Sequence, residues 1–133
     1  KLTSEQTIAT GTWTNPTLNV ELWDTGGAYD TSTYRFTVPS GQAGYYYITA
    51  GMEMTSVHAD KISQMSIRKN GSAQPGSSGR DYTVSGDNDD IKFTISTVMT
   101  LAEGDYVEMM IYQNSGSGQD IASGETFFGG ARI

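Results

Sequence analysis

The chain has 133 residues, no cysteine and a formal net charge of −7, a size that makes one domain with its own core. Lacking cysteine it has no disulfide framework, thiolate metal site or cysteine nucleophile. Phosphate binding needs clustered Lys and Arg, so the acidic balance excludes a nucleic-acid surface, and no apolar run nears the roughly 20 residues of a membrane span, so no membrane insertion is expected. The first residue is Lys1, not Met, so we expect a piece of something longer, with residues 1–133 as the single, C-terminal head domain.

No stretch carries a helical period, and Thr, Ser, Gly and Tyr abound, an all-β composition. In chain order, residues 7–10 and 12–14 predict a short, weak strand that stops at Asn15-Pro16. Residues 18–23 alternate and predict a strand with Leu18, Val20 and Leu22 inward. The paired glycines of residues 24–30 predict a loop. Residues 34–38 predict a strand ended by Pro39. After a short turn comes a strand from Gly44 with Tyr46, Ile48, Ala50, Met52 and Met54 on one face and Tyr45 and Tyr47 on the other. Residues 62–69 predict a strand, Met65 and Ile67 against Ser66 and Arg68, closed by Asn70-Gly71, a pair suited to a tight turn with positive φ at both positions. Residues 72–90 are mostly Ser, Gly and Asp and are expected to form a long exposed excursion, in which only Tyr82-Thr83-Val84 could pair. Residues 91–101 alternate, Phe93, Ile95, Thr97, Met99 and Leu101 against Thr94, Ser96, Val98 and Thr100. Residues 102–105 turn the chain. Residues 106–112 predict a strand apolar on both faces, Val107, Met109 and Ile111 on one, Met110 and Tyr112 on the other. A Ser/Gly loop at 114–118 and a last strand at 126–133 complete the chain. Eight or so short strands with evenly spaced turns predict a sandwich or jelly roll.

Four pieces of this pattern resemble the globular heads of the complement-C1q and tumour-necrosis-factor superfamily. They are Phe36-Thr37-Val38-Pro39 with Gly44-Tyr45-Tyr46, Lys69-Asn70-Gly71, Leu101-Ala102-Glu103-Gly104-Asp105-Tyr106-Val107, and Phe128-Gly129-Gly130. The link at residues 40–43 is longer than in the family. The phrase Leu22-Trp23-Asp24-Thr25-Gly26-Gly27-Ala28-Tyr29-Asp30, the absence of cysteine and the ending at residues 127–133 resemble phage and bacterial members. The resemblance implies a ten-stranded all-β jelly-roll sandwich, a compact homotrimer, and a non-enzymatic recognition head on a phage virion fibre or surface appendage. Such a head would work at the virion surface or extracellularly and bind a host cell-surface glycan or protein. The alternative is a purely structural trimerisation cap or virion decoration domain.

Candidate sites follow from exposure and chemistry. Tyr45, Tyr47, Met110 and Tyr112 lie outward on two strands that pair within one sheet of the resembled fold, and are expected to form the threefold contact, since exposed apolar patches mark interfaces. Ligand recognition is expected on the excursion, at Arg80, Asp81, Tyr82, Asp87, Asp89 and Asp90, where a ring, a guanidinium fork and acids occur together. The acids at 87–90 offer the hard oxygens calcium takes but lack the spacing of a calcium loop, so a solvated turn is favoured over a calcium site and no cofactor is expected. Asp24-Thr25-Gly26 resembles an aspartic-protease signature, yet one copy without the usual hydroxyl residue after it predicts a structural turn. His58, the one histidine, has no marked partners for a triad or zinc site and is expected in a solvated loop.

Overall fold

The computed structural model describes residues 1–82 and 89–133. Its strands are β1 (Gln6–Ile8), β2 (Tyr29–Asp30), β3 (Arg35–Thr37), β4 (Gly44–Val57), β5 (Ile62–Lys69), β6 (Ser72–Tyr82), β7 (Asp89–Leu101), β8 (Tyr106–Gln113), β9 (Gln119–Ile121) and β10 (Phe127–Arg132). They form two antiparallel five-stranded sheets. In the first, β9 and β10 follow one another along one edge of β4, β7 takes the other edge, and β1 pairs with β9. The second runs β2-β3-β8-β5-β6. This is the jelly-roll sandwich that the resemblance implies.

The core lies between the sheets. The inward phase of β4 supplies Tyr46, Ile48, Ala50, Met52 and Met54, while β5 and β8 answer with Met65, Ile67, Val107, Met109 and Ile111. Five of the six methionines are buried there, where their unbranched side chains fill irregular space between twisted sheets. Asn70 and Gly71 take φ of 50° and 79°, the turn their residue types predict.

Three expectations are corrected. Residues 72–82 are no excursion: they form β6, the edge strand of the second sheet, paired with β5 through a bulge between Ser66 and Arg68. Composition misled because an edge strand needs few apolar residues, and Pro75 with Gly76 sits where the pairing is interrupted. Residues 18–23 alternate but make no strand; Leu18 is buried, Val20 half-buried and Leu22 66% exposed. Finally, β4 and β8 lie in opposite sheets, so Tyr45 and Tyr47 do not share a surface with Met110 and Tyr112. Two short strands, β2 and β9, were not anticipated, and β1 falls slightly before the predicted 7–10 segment.

Candidate functional site

The outer face of the first sheet carries the most unusual surface. Tyr45 and Tyr47 project from β4 at 62% and 43% exposure. The ladder places Val98 of β7 opposite Tyr47, with Ala131 of β10 on its other side. One step along, Ile133 donates its N–H to the Tyr45 carbonyl (2.9 Å). Phe127 of β10 lies across Gly51, where a Cβ would stand 2.3 Å from the ring, so glycine is needed for the ring to rest on the sheet. The Tyr47 hydroxyl donates to Ser96 Oγ (2.9 Å), and Ser96 donates on to Thr49 Oγ1 (3.1 Å). The one polar atom of that ring is therefore satisfied within the sheet while its face stays open.

The second sheet treats its outer apolar residues differently. Thr14 bridges Ile111 through two backbone bonds of 2.8 Å, which lays Trp13 beside Tyr112 with ring centroids 5.5 Å apart. Arg68 caps Trp13, its guanidinium 4.6 Å from the ring centroid. Met110 and Tyr112 are half-buried, and the Tyr112 ring has a cover in its own chain. Beside it, Glu108 is buried and accepts from Arg35 Nε at 2.9 Å; that bond holds the Arg35 pKa up.

The predicted recognition residues gather at one end of the sandwich. Arg80, Asp81 and Tyr82 end β6, and Asp89 and Asp90 begin β7. Tyr82 pairs with Ile62 and Asp89 with Val57, the two residues that flank the β4–β5 link. Asp87 lies outside the described residues. Tyr82 is 54% exposed. Asp81 accepts from the Tyr82 N–H (2.7 Å), and Arg80 makes a long contact to Gln64 (3.4 Å). Asp90 accepts from the Ser56 N–H (2.8 Å), where β4 breaks register. Among the described residues no three His, Cys, Asp or Glu side chains cluster to hold a metal. His58 is exposed in the β4–β5 link.

Asp24 builds its own loop. Its carboxylate accepts from the N–H groups of Gly26 (3.0 Å) and Tyr29 (2.8 Å), and the Tyr29 bond above all lowers its pKa, as a turn requires. Next to that loop a cavity of about 870 Å³ opens into the sandwich alongside β10, floored by Phe36, Tyr46, Ile48 and Phe128.

Val98, Phe127 and Ile133 were not anticipated as site residues. Val98 stands in the polar phase of the 91–101 alternation, a signal already present in the sequence. The cavity had no such signal, because it depends on residues 18–23 not joining β10 as a strand.

No protein-family model and no curated protein matches the chain. Among solved structures, the Eiger TNF from S. frugiperda is similar with a TM-score of 0.58 and 11% identity, over 100% of this chain and 94% of that one. At such identity the likeness shows the fold: the chain has a C1q/TNF-like jelly roll. Among the described residues no helix is long and apolar enough to cross a membrane.

Proposed function

We propose that the chain is a non-enzymatic trimeric recognition head, carried on a phage virion fibre or surface appendage, that binds a host-surface glycan or protein. One observation carries the self-association. Of the eight large apolar residues exposed among those described, five (Tyr45, Tyr47, Val98, Phe127 and Ile133) lie on the outer face of the first sheet. A patch of this kind marks an interface, and each ring removes roughly 150–250 Å² from water when buried. The threefold order follows the superfamily that the fold resembles, with head-to-tail contacts closing a ring. Met110 and Tyr112 leave this contact, since β8 lies in the opposite sheet and Trp13 stacks beside Tyr112.

Covering that face leaves strand ends and loops for a partner. The end bearing Arg80, Asp81, Tyr82, Asp89 and Asp90 combines an exposed ring, a guanidinium and acids, a set that stacks on a sugar and hydrogen-bonds its hydroxyls. One observation favours the structural alternative of a trimerisation cap or decoration domain: the Asp81 and Asp90 carboxylates already accept backbone N–H groups of their own chain. Glycan-array and host-cell binding by the isolated head, with Tyr82→Ala and Arg80→Ala, separates the two. Binding lost in these variants while the trimer persists supports recognition here; a head that binds nothing supports the cap.

A further inference from the structure

We propose that the cavity beside β10 is a binding site for an amphipathic monocarboxylate, its apolar body among the aromatic rings and its carboxylate on Arg132. The site exists because the sandwich is open on this side. Among the described residues β10 has β4 on one edge and no strand on the other, and residues 18–23, which alternate like a strand, form none: Val20 exchanges backbone bonds with Lys1 alone, and Leu22 and Trp23 stand exposed on the cavity wall.

The floor accepts only apolar groups. Phe36, Ile48 and Phe128 have no polar side-chain atom. The Tyr46 hydroxyl donates to the Gln42 carbonyl (2.6 Å) and the Tyr29 hydroxyl to the Leu18 carbonyl (3.2 Å), so both tyrosines present rings to the cavity. A polar group placed there would find no partner and would bear its desolvation cost. At about 870 Å³ the volume falls within the roughly 300–1,000 Å³ typical of small-molecule sites.

The mouth is different. Arg132 is opposite Tyr46 in the β10–β4 ladder, which puts its side chain on the inner side of the sheet. Its Nη1 donates to Gln42 Oε1 (3.0 Å), a neutral partner, and among the described residues no carboxylate pairs with it. A guanidinium fixed by one amide keeps further donors for a carboxylate. Asp24 and Glu21 stand on the loop wall; Asp24 is turned to its own backbone, and a net charge of −7 favours one negative charge over two. Arg132 also weighs against an added peptide strand, because an inward charge on an edge strand opposes edge pairing.

Arg132 faces inward and the Tyr47–Val98 row outward, so this site can fail without the proposed assembly failing. The test titrates the 133-residue chain with dodecanoate below its micellar range and with dodecanol, by calorimetry and by tryptophan emission. Expected are one saturable site for dodecanoate, dodecanol bound at least tenfold more weakly, and an emission change that Trp23→Phe removes without removing the heat. Arg132→Gln should bring dodecanoate down to the level of dodecanol at an unchanged melting temperature. No saturable dodecanoate binding, or equal affinity for the alcohol in the unaltered protein, overturns the proposal. An Arg132→Gln protein that binds as tightly as the parent does the same.

Discussion

The Asn70 side-chain amide donates to Asp105 Oδ1 across 2.7 Å, and this contact joins two turns that are far apart in sequence. Asn70 Oδ1 accepts from the Tyr106 N–H (2.9 Å), Asp105 Oδ2 accepts from the Ala102 N–H (2.7 Å), and Lys69 Nζ stands 2.7 Å from the same oxygen. The Lys69-Asn70-Gly71 and Gly104-Asp105 pieces thus serve one end of the sandwich rather than a ligand, and the Asn70 amide is occupied by a structural bond.

That cluster sets an acid limit on stability. The Lys69 ammonium first, then the Ala102 N–H and the Asn70 amide, hold the Asp105 carboxyl down at about 2. An unfolded aspartate titrates near about 3.9. A carboxyl depressed on folding stabilises the fold above its unfolded pKa, and that contribution disappears as pH falls from about 4 towards about 2. Asp30, also held at about 2, by Ser32 and Thr33, acts in the same direction. Asp105→Asn should melt below the parent at pH 7, with the gap closing between about pH 4 and 2. A gap that stays constant across that range rejects the assignment.

Gly71 at φ 79° predicts a cost for any side chain. The left-handed conformation costs an ordinary residue about 1–2 kcal/mol, so Gly71→Ala should lower the unfolding free energy by that amount, seen as a lower urea midpoint at an unaltered slope. An unchanged midpoint would mean that the turn had relaxed to another geometry.

Self-association has a sharp mutational contrast. Val98→Asp or Tyr47→Asp places a charge in the outer face of the first sheet and should give monomers by light scattering. Because assembly is linked to folding, the parent's melting temperature should rise with protein concentration and the variants' should not. Tyr112→Asp should remain assembled but melt lower, since it loses the Trp13 ring. Assembly lost through Tyr112 and retained with Val98→Asp would put the contact on the second sheet.

Much of the fold was legible because both phases of β4, β7 and β8 are written in their side chains, and because Asn70-Gly71 admits few turns. What was not legible depended on partners far along the chain. β6 looked like a loop since Ser and Gly suffice at an edge. Residues 18–23 looked like a strand since alternation says which faces differ but not whether a neighbour is present. The pairing of Tyr45 with Tyr112 failed at the level of topology. An apolar face shows in the sequence, and its cover, Trp13 for one sheet and open surface for the other, does not.

Asp90 allows structural and recognition roles to be told apart at one atom. Ser56 has φ of 51°, unusual for a residue with a side chain, and sits where β4 shifts register between Met54 and Val57. The Asp90 carboxylate accepts its N–H at 2.8 Å, which stabilises that irregular backbone from the paired strand. Asparagine keeps an acceptor oxygen in place and loses the charge; alanine loses both. Asp90→Asn should therefore melt within a degree or two of the parent, while Asp90→Ala should be weaker by about 0.5–1.5 kcal/mol, the net worth of one such bond. Binding to glycan or host cells adds the second readout. If recognition needs the negative charge, Asp90→Asn loses attachment at full stability. If Asp90 serves only the β4 irregularity, Asp90→Asn binds like the parent, and the recognition surface contracts to Arg80, Asp81, Tyr82 and Asp89.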